Sequence, residues 1–250
     1  MPRKTSVKNH KPLNPKAIFF DLDDTFLKTR EIYQDEMVAM YRYLVAQYPD
    51  KTTEDEIKEI FESLNNAAFE KYGVDFSRWN YVLTHFQADL PHLSDDVIAH
   101  LREMIEEIHN TVPEIYEGTY EVLQYFTKNK KPIFLVTHSD YDWTWWKLKV
   151  TNLSAYFNEK NVYIVDPLKH KDANAWKEAI SRFGYRPQEI LVIGDSLRSD
   201  VGPALELGAE VIHVERPTTW IVQHKEVKGD FKTVESLLDI PKIFEGRKTI

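Results

Sequence analysis

The chain of 250 residues contains no cysteine. This absence excludes disulfide bonds, thiolate metal ligands and cysteine nucleophiles, and it is typical of proteins from a reducing compartment. The sequence also lacks any run of about 18 apolar residues, the length that a membrane-spanning helix needs. Positive charge is in deficit, because 32 Lys and Arg stand against 40 Asp and Glu, for a formal net charge of -8. We therefore expect a soluble, cytoplasmic protein that binds neither a membrane nor nucleic acid.

The first 16 residues are basic but contain no apolar segment of the kind found in secretion signals. Their positive charges are Arg3, Lys4, Lys8, Lys11 and Lys16. We predict that residues 1–16 form a flexible, solvated tail, with a contact to an acidic partner or a membrane surface as the alternative. The rest of the chain is long enough to bury the core of one large or two modest domains.

Two short apolar runs, far apart in the chain, each end in carboxylates. They read Ala-Ile-Phe-Phe-Asp-Leu-Asp-Asp-Thr (residues 17–25) and Ile-Leu-Val-Ile-Gly-Asp-Ser (residues 190–196). Such runs are typical of buried parallel strands, and ligands of open α/β sheets bind beyond the carboxyl ends of these strands. We therefore expect Asp21, Asp23, Asp195 and Asp200 to surround one site, where a divalent cation would relieve their mutual repulsion.

The pair Asp21 and Asp23 indicates covalent catalysis. One carboxylate can attack an electrophile while its neighbour exchanges protons with the leaving group and with water. We predict that Asp21 is the nucleophile and Asp23 the acid and base. A phosphate dianion beside several carboxylates would be repelled by roughly 4 kcal/mol per pair of unit charges about 4 Å apart. A lysine and a divalent cation are needed to reverse that sign, and Mg²⁺ prefers oxygen ligands of this kind.

Between these signatures, residues 29–111 show helical spacing without a strand pattern. Thr53 and Glu56 match a capping box, and further helices are predicted to begin at Ser77 and Ser94. After Pro113, strands alternate with helices, which predicts a parallel sheet with helices on both faces. The predicted strands are 132–136, 162–165, 190–193 and 210–214, and the predicted helices are 120–128, 143–152, 173–183 and 201–207.

In their order along the chain, these motifs resemble the haloacid dehalogenase-like hydrolase superfamily, in its phosphatase branch, from about Lys16 to Leu238. The resemblance implies a Rossmann-like doubly wound parallel sheet, formed by residues 17–28 and 112–250. It implies an all-helical cap domain at 29–111, as in phosphoglycolate phosphatase-like members, which would lie over the active end as a lid. The implied activity is that of a phosphoric monoester hydrolase, with Mg²⁺ as cofactor and a small phosphorylated metabolite as substrate.

The resemblance also implies individual roles. Asp21 and Asp23 match the family's nucleophile and its acid/base, and Asp195 and Asp200 match its metal-binding and accessory carboxylates. Asp21 and the backbone carbonyl of Asp23 would complete the protein's ligands to the metal.

Thr137, at the end of a predicted strand, matches the phosphate-binding Thr or Ser of the family. His138 stands where the family usually has Asn, and both a substrate contact and a backbone hydrogen bond remain open for it. Lys171 matches the lysine that balances phosphoryl charge, although Lys169 competes for this role and Asp172 replaces the usual following proline.

Three other functions remain open at this stage. A phosphotransferase or mutase would use the same motifs and pass the phosphoryl group to a second substrate. A non-catalytic binding protein that kept the fold is the second, favoured only by the departures at His138 and Asp172. A dehalogenase is disfavoured because that branch lacks a carboxylate at the position of Asp23. The nearby Trp143, Trp145 and Trp146 either pack inside the protein or form a stacking platform.

Overall fold

The computed structural model describes residues 13–216 and 227–245. Most of the predicted basic tail, residues 1–12, lies outside the described residues. Lys16 is described, and its Nζ lies 2.8 Å from Oε1 of Glu189. Among the described residues, no helix combines the length and the apolar character that crossing a bilayer requires.

Within residues 13–216 and 227–245, six parallel strands form one sheet in the order β3-β2-β1-β4-β5-β6. They are β1 (Ala17–Phe20), β2 (Ile133–His138), β3 (Val162–Val165), β4 (Ile190–Gly194), β5 (Glu210–Val214) and β6 (Lys232–Val234). The described α-helices are α1 (Thr29–Gln47), α2 (Glu54–Tyr72), α3 (Ser77–Asp89), α4 (Asp95–Asn110), α5 (Thr119–Lys128), α6 (Tyr141–Val150), α7 (Ala173–Arg182), α8 (Gly202–Glu206) and α9 (Asp239–Phe244).

Apolar clusters cover both faces of the sheet. Ile18 and Phe20 of β1 point into one cluster with α5 and α9, whereas Ala17 and Phe19 point into the other with α7 and α8. This alternation follows from the two-residue period of a strand, and burial on both faces explains why β1 is apolar throughout. The predicted α/β class, with a doubly wound parallel sheet, is therefore confirmed.

The helices α1 to α4 form a four-helix insertion (residues 29–110) with an apolar cluster of its own. The Thr53–Glu56 capping box is present at the start of α2. Ser94 caps α4 by accepting a hydrogen bond from the amide of Val97, as its sequence pattern predicts. The assignment of residues 29–111 as a separate cap domain stays a prediction.

Several predicted bounds differ from the structure. The predicted helix at 201–207 is a π-helical turn (Leu197–Val201) followed by the short α8. The predicted helix at 143–152 begins two residues earlier, because Asp140 caps α6 through the amide of Trp143. Strand β6 and helix α9 were not predicted.

Candidate active site

The strands β1 and β4 are neighbours at the centre of the sheet. From β1 the chain runs outward through β2 to β3, then returns to the opposite side of β1 with β4. The strand order therefore reverses between β1 and β4, and ligands bind at such a switch point. The amide of Asp21 donates to the carbonyl of Ile193 over 3.0 Å, which places Asp21 beside the end of β4.

Three carboxylates meet at this edge of the sheet. Asp21, Asp195 and Asp200 each offer one oxygen, and these oxygens lie within 4.8 Å of one another. All three residues are buried. We call this set the acidic cluster. Asp21 extends β1, Asp195 follows β4, and Asp200 lies in the π-helical turn, where its Oδ2 accepts from the amide of Ser196 over 3.1 Å.

Lys171 joins two members of the acidic cluster. Its Nζ lies 2.5 Å from Oδ1 of Asp21 and 2.7 Å from Oδ1 of Asp200. Burial raises the pKa of Asp21 to about 7, although Lys171 opposes the shift. Burial, with Asp24 and Asp21 nearby, also raises the pKa of Asp195 well above its ordinary value. A single lysine therefore leaves the charge of this cluster unbalanced.

Gly194 allows Asp200 to approach the end of β4. A Cβ at position 194 would lie 2.5 Å from Cγ and Oδ2 of Asp200, a distance at which one of the groups must move. The glycine is required here because the side chain of Asp200 occupies the space of a Cβ, and not because of a positive φ.

The turn after β1 is held by charged side chains from elsewhere in the chain. Asp24 has a φ of 62°, a left-handed conformation that non-glycine residues seldom adopt. Its carboxylate pairs with Arg30 at 3.3 Å. Arg216 donates to the backbone carbonyls of Asp24 and Thr25, and its guanidinium lies 3.5 Å from the ring centre of Tyr116. Sequence reasoning missed both arginines.

The Asp23 carboxylate lies apart from the acidic cluster, in contact with Lys147. The Nζ of Lys147 is 2.6 Å and 2.7 Å from the two oxygens of Asp23, and the lysine is fully buried. The Thr29 hydroxyl donates to Oδ1 of Asp23 over 2.5 Å. The ring centre of Trp143 lies 3.9 Å from the same ammonium. Neither Lys147 nor Thr29 was predicted as a site residue. Lys147 was missed because a lysine in a helix ordinarily indicates a solvated surface.

Thr137 and His138 end β2 beside β1. The Thr137 side chain is fully buried, and its Oγ1 has no hydrogen-bond partner among the described residues. A buried hydroxyl of this kind can bind a polar ligand atom. Burial lowers the pKa of His138 to about 4, and Lys171 adds to this effect, so His138 is neutral near pH 7.

The structure also separates the residues that competed in sequence. Lys169 is exposed, whereas Lys171 reaches Asp21. Asp172, which replaces the expected proline, caps α7 by accepting from the amides of Asn174 and Ala175. Of the three tryptophans, Trp145 packs against the apolar cluster of the sheet, whereas Trp143 and Trp146 line a cavity.

This cavity, of about 1270 Å³, lies between the sheet and the four-helix insertion. Its floor contains the acidic cluster, Lys171 and Thr137, and its walls include Asp23 and Trp143. The oxygen-only ligands of the acidic cluster, with the raised pKa values of Asp21 and Asp195, fit a hard divalent cation such as Mg²⁺. A bound cation would hold these carboxylates in their charged form.

A doubly wound parallel sheet with carboxylates at its switch point defines an α/β protein with a ligand site at the sheet edge, and comparison with known proteins assigns the family. Residues 15–208 match the model of the haloacid dehalogenase-like hydrolases. The chain belongs to this family, and the predicted membership is confirmed.

The chain is 26% identical over 188 residues to the pyrophosphatase PpaX of Bacillus velezensis, covering 72% of this chain and 74% of that protein. It is 24% identical over 240 residues to the glyceraldehyde 3-phosphate phosphatase of Pyrococcus abyssi, covering 92% of this chain and 94% of that protein. A haloacid dehalogenase-like family hydrolase from Xanthomonas campestris superposes with a TM-score of 0.73 at 20% identity, covering 92% of this chain and 94% of that one. This last likeness concerns the fold.

Proposed function

We propose that the protein is a magnesium-dependent phosphatase that hydrolyses a small phosphorylated metabolite through an aspartyl phosphate at Asp21. One observation carries the proposal: the Asp21 carboxylate lies in a cavity between Lys171 and two further carboxylates. The Thr137 hydroxyl, which has no hydrogen-bond partner in the described part of the chain, lines the same cavity. The family membership and the relatives named for pyrophosphatase and glyceraldehyde 3-phosphate phosphatase activity support a phosphorylated substrate.

In the first step, Asp21 attacks the phosphorus atom and the bond from phosphorus to the leaving oxygen breaks. Asp23 reacts here in its protonated form and gives that proton to the leaving oxygen. In the second step, Asp23 takes a proton from water, the water oxygen attacks phosphorus, and the bond to Asp21 breaks. Inorganic phosphate and free Asp21 result, so atoms and charges balance over both steps.

The other residues bind and orient. Lys171 and Thr137 would hold the phosphoryl oxygens, since an ammonium and a hydroxyl donate to them. Asp21, Asp195 and Asp200 would hold Mg²⁺, which when bound neutralises phosphoryl charge. Lys147 and Thr29 fix the side chain of Asp23 beside the cavity. The four-helix insertion covers the cavity, and we propose that it acts as a lid that limits access of water.

The test is release of inorganic phosphate from 4-nitrophenyl phosphate, measured with Mg²⁺ and with an excess of chelator. We expect turnover that requires the metal and yields one phosphate for each nitrophenol. Acid quenching of a single turnover, followed by mass spectrometry of the peptide that contains Asp21, should find the phosphoryl group on that residue. Absence of turnover on every phosphate ester tried would contradict the proposal, and nitrophenol without free phosphate would indicate a phosphotransferase.

A further inference from the structure

Arg78 is a buried cation that forms no ion pair with any of the described residues. It lies in the first turn of α3 and is 6% exposed. One terminal nitrogen, Nη1, donates to the carbonyl of Gly73 over 3.4 Å, and Nε has no hydrogen-bond partner among the described residues. Among the residues that the structure describes, no carboxylate oxygen lies within ion-pair distance of the Arg78 guanidinium. Asp75, which faces it from the preceding turn, accepts from the amide of Ser77 instead.

The side chains packed against Arg78 are aromatic, and the Tyr33 hydroxyl and the Asp75 carboxylate interact with its guanidinium without forming an ion pair at close range. Its guanidinium lies 4.4 Å from the ring centre of Trp79 and 5.9 Å from that of Tyr33. These rings stabilise a cation but do not neutralise it. A buried charge without a counterion is costly, and the usual solution in proteins is an anion held by several hydrogen bonds. The planar guanidinium suits a carboxylate or a phosphoryl group, which it can bind through two parallel hydrogen bonds.

Arg78 lines the same cavity as Asp21 and Thr137, on the side of Asp23. A series of ring contacts connects Arg78 with Asp23. Tyr33 stacks on Trp79 at 6.2 Å between ring centres and makes an edge-to-face contact with Trp143 at 6.3 Å. Trp143 lies against the Lys147 ammonium that holds Asp23. Because Asp23 is the proposed proton donor to the leaving oxygen, the leaving group extends toward this wall.

We propose that Arg78 binds a second anionic group of the substrate, so that the preferred substrates are phosphorylated metabolites whose leaving group ends in a carboxylate or a phosphoryl group. The proposal rests on the proposed function, which places the reacting phosphoryl group at Asp21. Of the substrates named for the two relatives, the proposal favours pyrophosphate, which has a second phosphoryl group. It disfavours glyceraldehyde 3-phosphate, which has no second anionic group. Pyrophosphate-like or carboxylate-bearing substrates are therefore expected here.

Matched substrates test the proposal. Phosphoglycolate carries a carboxylate at the position where 2-hydroxyethyl phosphate carries a neutral alcohol. Pyrophosphate carries a second phosphoryl group instead. In Arg78→Gln, we expect KM for the anionic substrates to rise about ten- to a hundred-fold, with less than about a threefold change for 2-hydroxyethyl phosphate. Arg78→Lys should recover part of the loss. Arg42→Gln, which alters an exposed arginine of α1, is the control and should change neither KM.

Inhibition of the unmodified protein avoids dependence on the folding of a variant. Phosphonoacetate carries a carboxylate that ethylphosphonate lacks, and neither compound is hydrolysed. We expect phosphonoacetate to bind at least about tenfold more tightly, measured by calorimetry with Mg²⁺ present. Calorimetry needs no turnover, so it separates this proposal from the proposed function, which the 4-nitrophenyl phosphate assay tests.

Each outcome decides between binding and a structural role. Equal affinity for the two phosphonates would overturn the proposal. So would an Arg78→Gln protein whose KM rises equally for charged and neutral leaving groups, because loss of the Gly73 turn alone would produce that result. A selective effect on carboxylates, on phosphoryl groups or on both would support the proposal and identify which anion Arg78 binds.

Discussion

Two lysine–carboxylate groups at the same cavity differ in how their charges balance. In the acidic cluster, three carboxylates meet one ammonium, that of Lys171, which leaves a formal charge of minus two. On the flank, Asp23 and Lys147 pair one to one, with Thr29 as a further donor. The first group is therefore suited to bind a divalent cation, whereas the second is neutral when Asp23 is ionised and needs no cation. We infer that the first group binds and reacts, and that the second positions a proton carrier.

The largest expected effect comes from the acidic cluster. Asp21→Asn removes the proposed nucleophile, and we expect kcat to fall by at least about 10⁴-fold. The fold should persist, because burial disfavours the charged form of Asp21 and an amide has the same shape. Phosphate release and thermal unfolding measure the two effects. Turnover by this variant near that of the natural sequence would exclude Asp21 as the nucleophile.

Replacement of each lysine by methionine tests the difference in charge balance. Breaking either buried pair should lower the free energy of unfolding by about 3 kcal/mol. Excess Mg²⁺ should recover much of the loss in Lys171→Met, because the cation compensates the same carboxylates. Mg²⁺ should recover little of the stability that Lys147→Met loses. Adding Asp23→Asn to Lys147→Met should recover that stability, because no unpaired carboxylate then remains.

Denaturant unfolding with and without Mg²⁺ measures both variants. Lys147→Met should also reduce kcat by about 10²-fold, since acid–base catalysis contributes on that scale. Equal recovery of the two variants by Mg²⁺ would mean that the two lysines do not differ in the way described.

Gly194→Ala changes the acidic cluster alone. The added Cβ would displace Asp200, and we expect the dissociation constant for Mg²⁺ to rise about ten- to a hundred-fold. Gly184→Ala is the control, because a Cβ there would contact none of the described residues within 4 Å and only its φ of 79° opposes the change. This control should cost about 1 kcal/mol of stability and leave metal affinity unchanged. Similar metal affinities in both variants would contradict the steric argument.

The sequence predicted the features that depend on local patterns. Apolar runs that end in carboxylates identified β1 and β4, and the Thr53–Glu56 pattern identified the start of α2. Strand β6 was missed because it has only three residues, Lys232–Val234, and lies at the edge of the sheet, where it carries little apolar signal. Aspartate is a common N-cap residue, so the role of Asp172 at the start of α7 was predictable from its residue type. It was missed because Asp172 was considered only as a replacement for the family's usual proline.

Parts of the candidate site could not be found from sequence because they depend on distant contacts. The burial of Lys147 depends on the carboxylate of Asp23, which lies 124 residues earlier in the chain. Arg216 reaches backbone carbonyls about 190 residues away, and backbone acceptors leave no mark on residue types. Arg78 lies in a helix whose other inward residues are apolar, so its burial contradicts the ordinary expectation for a charged side chain.

The smallest expected effects come from two threonines that support the two groups. Thr25 accepts from the amide of Asp195 over 3.1 Å, and Thr29 donates to Asp23. Valine has nearly the same shape, so each replacement removes about 1 kcal/mol of hydrogen bonding. Thr25→Val should weaken Mg²⁺ binding about fivefold without changing kcat at saturating metal, whereas Thr29→Val should lower kcat about fivefold without changing metal affinity. If both variants altered the same parameter, the acidic cluster and the Asp23–Lys147 pair would act as one unit, because separate groups shift separate constants.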